Sequence, residues 1–142
     1  MSKLCIGVSN VMYGFGDEPD KTTFDVALEL ESEYLLFSTF WRMYKKEICN
    51  EVGEMFAYQI INRIKHGAPE FEGEKLLGRT MKNFNIYLEN EEMRGAPGVR
   101  GVPTLAAKKG YNSRLKTFGP RRPSFIDSGT LKTHFMAWIK SD

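Results

Sequence analysis

The chain has 142 residues, 42% of them hydrophobic and 13% aromatic, with a formal net charge of +2. This length and composition predict one domain, residues 1–142, with a real hydrophobic core. Two widely spaced cysteines, Cys5 and Cys49, exclude a disulfide framework and a zinc-finger pattern, and no apolar run is long enough for a signal peptide or a membrane span. We therefore expect a protein that is made in a reducing cytoplasm and has no membrane partner.

The first 35 residues predict a strand followed by a helix. Residues 3–13 are apolar and mixed with turn formers, which is typical of a strand or an extended arm, and glycines and a proline then indicate a loop at 14–19. The stretch 24–32 alternates like a strand, but Ala, Leu and Glu are strong helix formers. Because Thr22 and Asp25 have the spacing of a capping box, we favour a helix here.

A long amphipathic helix, residues 40–66, is the most clearly predicted element. Its apolar face recurs every three or four positions, at Trp41, Tyr44, Ile48, Val52, Met55, Phe56, Ile60 and Ile64. Lys65 and His66 stand where the helix dipole favours cations, and Gly67 provides a stop signal. At about 1.5 Å per residue the helix spans roughly 40 Å. This length exceeds the needs of a small domain, so we expect a scaffold or an assembly surface.

The next segment predicts an acidic loop and a second helix. The loop, 68–75, contains Glu70, Glu72 and Glu74. Apolar residues at helical spacing then predict a shorter helix over residues 73–83. Residues 84–89 stay open between helix and strand, because their apolar residues fit both periods.

A long basic arm, residues 94–126, follows these helices. It contains eight basic residues, five Gly, four Pro and no Asp or Glu, so no hydrophobic period survives in it. Residues 1–93 contain 16 acidic and 10 basic residues, which gives the body a charge opposite to that of the arm. An acidic body joined to a basic arm predicts a contact with itself, with a neighbouring copy or with a polyanion.

The chain ends in a predicted C-terminal helix over residues 128–140. Asp127 or Ser128 can cap it, and its buried stripe is expected to contain Leu131 and Phe135 together with Trp138 or Ile139. Taken together, the elements predict an α+β, mainly helical fold with an irregular basic arm.

Catalytic motifs are missing from this sequence. His66 and His134 are the only histidines, and neither has a second ligand at metal spacing. The sequence also lacks a nucleophile motif and a phosphate-binding loop. The acidic loop with Lys75 can be interpreted as a Mg²⁺-dependent nuclease site, but a solvated loop is the simpler interpretation. We predict a protein without enzymatic activity, and with no catalytic residue, metal or cofactor.

Two functional interpretations fit the basic arm, beside a solvated loop of no special role. As a nucleic-acid arm, its cations neutralise phosphates and its aromatic residues stack on bases. As an assembly arm, the same cations contact acidic residues of a neighbouring copy, and the aromatic residues fill pockets of the partner. We favour assembly, with these candidate contact residues: Arg100, Lys108, Lys109, Tyr111, Arg114, Lys116, Phe118, Arg121, Arg122 and Phe125.

The segment 120–139, PRRPSFIDSGTLKTHFMAWI, resembles small structural proteins of tailed bacteriophages, of the tail-completion or neck type or from the baseplate. In those proteins a basic, proline-bearing turn leads into an Asp/Thr–Ser/Thr–Gly–x–Leu/Tyr sequence, which here is Asp127 to Leu131. In those families the turn usually stands upstream of a sheet, whereas here it is predicted to open the last helix.

The resemblance implies a non-enzymatic virion protein that forms rings around a tube or connector. Its partners would be copies of itself and other virion proteins, such as a tube, sheath or connector protein. It would be assembled in the host cytoplasm and located in the virion. The alternative is a nucleic-acid-binding protein that uses the same basic arm.

Overall fold

The computed structural model describes residues 2–13, 18–67, 74–112, 116–126 and 128–140. Its elements in chain order are β1 (Lys3–Val8), α1 (Thr23–Tyr34), α2 (Leu36–His66), β2 (Glu74–Leu76), α3 (Gly78–Glu89), α4 (Leu105–Lys109), β3 (Tyr111–Asn112), β4 (Thr117–Phe118), α5 (Thr130–His134) and β5 (Phe135–Lys140). The predicted α+β, mainly helical fold is confirmed.

The predicted N-terminal strand and first helix are both present. Asp25 Oδ2 accepts a hydrogen bond from Thr22 N at 2.8 Å, and Thr22 Oγ1 accepts one from Asp25 N at 3.3 Å, which forms the predicted capping box. Helix α1 ends at Tyr34, and the following residue, Leu35, has a φ of 55° that turns the chain sharply into α2. Glu31 Oε2 accepts hydrogen bonds from Phe37 N at 2.8 Å and Ser38 N at 3.2 Å, and so satisfies donors in the first turn of α2.

Helix α2 has 31 residues and begins four residues before its predicted start. Its core-facing side contains Leu36, Phe40 and Ile48, which are fully buried, and Val52 and Phe56 pack partly against them. The apolar residues after Phe56 are exposed instead. The predicted apolar face is therefore covered along only the first two thirds of the helix.

The second helix lies further along the chain than predicted. Residues 74–76 form strand β2, and α3 spans Gly78–Glu89, so the predicted span of 73–83 is wrong in position. The β5 strand provides a hydrogen-bonding partner for β2. Glu51 of α2 accepts hydrogen bonds from Arg79 N at 2.8 Å and Thr80 N at 2.7 Å, and this cap begins α3 at its observed start.

The predicted C-terminal helix over 128–140 is wrong beyond its first turn. Helix α5 ends at His134, and Phe135–Lys140 form β5, the central strand of a three-stranded antiparallel sheet in the order β1-β5-β2. Phe135, Ala137 and Ile139 are buried, whereas Met136 and Trp138 lie on the other face. The apolar run FMAWI contains no polar residue to mark this alternation, and its spacing from Leu131 fits a helix equally well.

An aromatic cluster joins the helices to the sheet. The rings of Phe84 (α3) and Phe135 (β5) stack with centroids 3.7 Å apart. Phe40 of α2 meets both rings edge-on, at interplanar angles of 85°. Tyr87 is also buried beside Phe40, and its hydroxyl donates a hydrogen bond to Leu36 O at 3.0 Å. Burial in this cluster raises the pKa of Tyr87 well above its ordinary value.

We predict that Phe84→Ala lowers the free energy of unfolding by roughly 3–5 kcal/mol, because it removes a ring that contacts both other layers of the core. Ile86→Ala is the control on the same helix, where the side chain is partly exposed and a loss of about 1 kcal/mol or less is expected. Urea unfolding followed by circular dichroism measures both. Equal losses for the two variants would contradict a core centred on Phe84.

Candidate assembly surface on the basic arm

The basic arm folds against the body of its own chain. In its described parts, 94–112 and 116–126, it forms the short helix α4 and the hairpin of β3 and β4. Ala107 and Ser124 are fully buried, and Pro103 and Gly110 are buried beside them. The arm is thus irregular in most of its length, as predicted, but it has an inner side that is packed.

The first part of the arm lies along the corner between α1 and α2. Arg42 Nη2 donates a hydrogen bond to Pro97 O at 2.9 Å. A Cβ atom at Gly101 would lie 3.6 Å from the ring of Tyr34, in ordinary contact, and Gly101 has a φ of 74° that favours glycine. The first part of the arm therefore contacts two helices that are themselves packed in the core.

A carboxylate clasp fixes the far end of the arm. Ser124 donates two hydrogen bonds to Glu91 Oε1, one from its backbone N at 2.8 Å and one from its Oγ at 2.7 Å. Ser124 Oγ also accepts a hydrogen bond from Thr104 N at 3.0 Å. One buried serine therefore connects the end of α3 to two distant parts of the arm.

The clasp also sets the protonation of Glu91. Burial raises the pKa of this carboxyl, but the two hydrogen bonds from Ser124 and the positive charges of Arg121 and Arg94 outweigh burial. The pKa of Glu91 is consequently lower than its ordinary value, and the carboxylate form is favoured. Glu91 itself has a φ of 49°, an uncommon conformation for a side-chain-bearing residue.

Two predicted contact residues are used inside the chain. The Phe125 ring packs on Tyr34 of α1 with centroids 4.9 Å apart. Arg122 donates hydrogen bonds to Ile126 O at 3.0 Å and to Tyr111 O at 3.1 Å. These two side chains brace the arm, so in this chain they have structural roles.

The hairpin of the arm closes through a contact that only glycine permits. Gly119 N donates a hydrogen bond to Gly110 O at 2.9 Å. Gly110 has a φ of 66°, and a Cβ atom there would lie 1.9 Å from Gly119 O. The close approach of these two backbones fixes the position of β3 and β4 on α4.

The other predicted contact residues face outward. Arg100, Lys108, Lys109, Lys116 and Arg121 are exposed. Phe118 is 75% exposed and Leu105 is 71% exposed. A shallow apolar depression of about 280 Å³ is lined by Leu105, Ala106, Lys109, Tyr111 and Phe118. We call these five lining residues the arm patch. Arg114 lies outside the described residues.

The described residues give no geometric support to the other sites considered from the sequence. Among them, no three His, Cys, Asp or Glu side chains are grouped to hold a metal ion. Glu70, Glu72 and the side chain of Glu74 lie outside the described residues. Within the same described ranges, no helix is long and apolar enough to cross a membrane.

Comparison with known proteins identifies no relative. No family model, no curated protein and no solved structure matches this chain.

No sequence signal marks the residues that hold the arm. Glu91 and Ser124 are 33 residues apart, and Arg42 is 55 residues from Pro97. Neither pair falls in a motif. The positive φ at Glu91 and Phe125 also has no sequence signature, since neither residue is a glycine or an asparagine.

We predict that Glu91→Ala loosens the arm at a cost of about 2–3 kcal/mol, because it removes two hydrogen bonds to a carboxylate and leaves the buried Ser124 N–H unpaired. Glu89→Ala is the control. It removes only a surface pair with Lys132, for which about 1 kcal/mol or less is expected. Hydrogen exchange at residues 104–126 measures the effect, and equal protection in both variants would contradict the clasp.

The hydrogen bonds between Ser124 and Glu91 make the stability of the wild-type arm depend on pH. Because folding lowers the pKa of Glu91, its stabilising contribution is present above the ordinary value of 4.5 and is lost as the pH falls through the lower folded value. Arm protection in the wild type should therefore fall as the pH drops below about 4.5, and Glu91→Ala should lack this component.

We also predict that Gly110→Ala destabilises the hairpin by roughly 2–5 kcal/mol, since a Cβ atom both collides with Gly119 O and opposes the positive φ. Gly53→Ala is the matched control. Nothing lies within 4 Å of a Cβ atom at this helical position, so stability should rise by about 0.5–1 kcal/mol. Thermal unfolding shifts of opposite sign are expected, and a neutral Gly110→Ala would refute the close approach.

Proposed function

We propose that this chain is a non-enzymatic structural protein of a tailed bacteriophage particle, in the tail, the baseplate or the head–tail neck. It assembles in multiple copies and contacts acidic residues of neighbouring copies, or of a tube, sheath or connector protein, through its basic arm. The observation that carries this proposal is that one side of the arm is packed on the body and the other side is exposed. The inner side of the arm is fixed to the body, and its exposed side chains include five cations, of which Lys109 lines an apolar depression.

The arm is suited to binding because its conformation is already ordered before a partner arrives. A free polybasic segment loses conformational entropy when it binds, whereas this arm is already held by Glu91, Arg122 and Tyr34. The exposed apolar side chains Phe118 and Leu105 are suited to a pocket of a protein partner. Leu105 has no ring to stack on a base, which favours a protein over a nucleic acid.

The location of the phage-like turn supports the same proposal. Ser128 to Leu131 lead into the single turn of α5, and β5 begins directly after His134. The turn therefore precedes a strand of the sheet, which is where the resembled tail-completion and neck proteins usually have it. The sequence alone predicted a departure from that arrangement.

Four acidic residues of the body are used within the chain. Glu31, Glu51, Glu91 and Glu92 accept hydrogen bonds within the chain, at a helix corner, at the start of α3, at the arm and from the Tyr44 hydroxyl. These four carboxylates are engaged elsewhere, and acidic residues of another molecule are the proposed partners of the exposed Arg100, Lys108 and Lys109.

The alternative function is nucleic-acid binding by the same surface. The rings of Tyr111 and Phe118 lie 5.1 Å apart on the hairpin, and Phe118 is exposed for stacking on a base. Nearby Lys108, Lys109 and Lys116 are exposed and are able to approach phosphates.

The test is a triple charge reversal, Arg100→Glu, Lys108→Glu and Lys109→Glu, which leaves Arg122 in place and also Arg121, whose charge acts on Glu91. We expect self-association to weaken by roughly 10-fold to 100-fold, because each exposed ion pair contributes up to about 1 kcal/mol. The control reverses three exposed lysines outside the arm, Lys46, Lys82 and Lys140. Native mass spectrometry across a concentration series measures the association.

Equal association of the arm variant and the control would contradict the proposal. A DNA mobility-shift assay on the same proteins examines the alternative. Binding to DNA that falls steeply with salt and is lost only in the arm variant, while self-association stays intact, would replace assembly with nucleic-acid binding.

A further inference from the structure

The C-terminal third of α2 presents an apolar stripe that nothing in the described structure covers. Ile60, Ile61 and Ile64 lie on one side of the helix, since residues three and four apart are neighbours on its surface. Ile64 is 78% exposed and Ile60 is 59% exposed. Side chains of this size and type are normally buried, so an uncovered group of them marks an interaction site.

Helix α1 presents a second uncovered apolar face. Phe24 is 52% exposed and Leu28 is 54% exposed, and they lie one turn apart on the same side of the helix. Leu35, at the corner that follows α1, is also exposed.

The charges beside the two faces are opposite. Helix α1 contains four acidic residues, Asp25, Glu29, Glu31 and Glu33, and no basic one. Glu31 is used at the corner and Glu29 pairs with Lys21 at 2.8 Å, which leaves Asp25 and Glu33 as its exposed acids without an ion pair among those described. The last turn of α2 contains Arg63, Lys65 and His66, and its final ten residues contain no acid.

The two faces are too far apart to meet within one chain. Ile64 lies 28 residues after Leu36, which is about 42 Å along the axis of α2 at 1.5 Å per residue. Helix α1 joins α2 at its opposite end and has 12 residues, or about 18 Å. A contact between the two faces therefore requires two copies of the chain.

We propose that the end of α2 in one copy docks on the exposed face of α1 in the next copy. Ile60 and Ile64 pack against Phe24 and Leu28, and Lys65 lies against the acidic side of α1. Because two different surfaces meet, the contact is head-to-tail and continues from copy to copy, and it forms a ring if the rotation between neighbours closes and an open filament if it does not. This contact is separate from the arm patch and does not depend on the arm.

Pairing of two α2 ends with each other is the competing arrangement. It would bury the same isoleucines, but it leaves the α1 face uncovered and brings no acidic partner from α1 to Lys65. The two arrangements differ in one respect that an experiment can resolve, namely whether the α1 face takes part.

The experiment uses two complementary variants of the full chain. The α2-end variant carries Ile60→Asp and Ile64→Asp, and the α1-face variant carries Leu28→Lys and Glu33→Lys. All four positions are exposed, so folding should be retained, and circular dichroism verifies it. The matched controls are Met43→Asp on α2 and Ile86→Lys on α3.

We expect each variant alone to associate at least tenfold more weakly than the wild type and the controls. An equimolar mixture should regain a 1:1 complex of twice the 16.3 kDa chain mass through the α1–α2 contact, because only one intact end and one intact face remain. Sedimentation velocity measures both results. An α1-face variant that associates like the wild type, or a mixture without the 1:1 complex, would overturn the proposal.

The arm variant separates this inference from the proposed function. Introducing the three arm reversals into both partners should leave the 1:1 complex of the mixture intact. Loss of that complex would place the arm in the same contact and contradict the two-surface arrangement.

Discussion

The hydrogen bonds from Ser124 to Glu91 hold the arm in its observed position. Glu91 stands just before the arm begins, and Ser124 lies near its end, so the pair closes a loop of 33 residues. The length-dependent entropy of such a closure is about 3 kcal/mol. Two hydrogen bonds to a carboxylate, at roughly 1.5–3 kcal/mol each, offset it. The contacts of Arg42 with Pro97 and of Tyr34 with Phe125 add to this closure.

Carboxylates serve the same purpose elsewhere in the body. Glu31 satisfies the first turn of α2, and Glu51 begins α3 by accepting hydrogen bonds from Arg79 N and Thr80 N. Glu31, Glu51 and Glu91 thus hold joints between elements of the body and between the body and the arm.

The sequence predicted the elements whose signals are local. The capping box of α1 and the long period of α2 each depend on neighbouring residues, and both are observed. Strand β5 and the true start of α3 were missed, because each depends on a distant partner: β5 needs β1 and β2, and α3 needs Glu51. For the candidate site, the concentration of basic residues located the arm in the sequence. It did not distinguish Arg122, which donates hydrogen bonds to carbonyls of its own chain, from the exposed Arg121.

Self-association is the central claim of this account, and sedimentation velocity of the purified wild-type chain tests it most directly. The account predicts species at multiples of 16.3 kDa that grow with protein concentration and dissociate partly as salt is raised, since charged contacts are screened. A single species of 16.3 kDa at every concentration and salt level would contradict it.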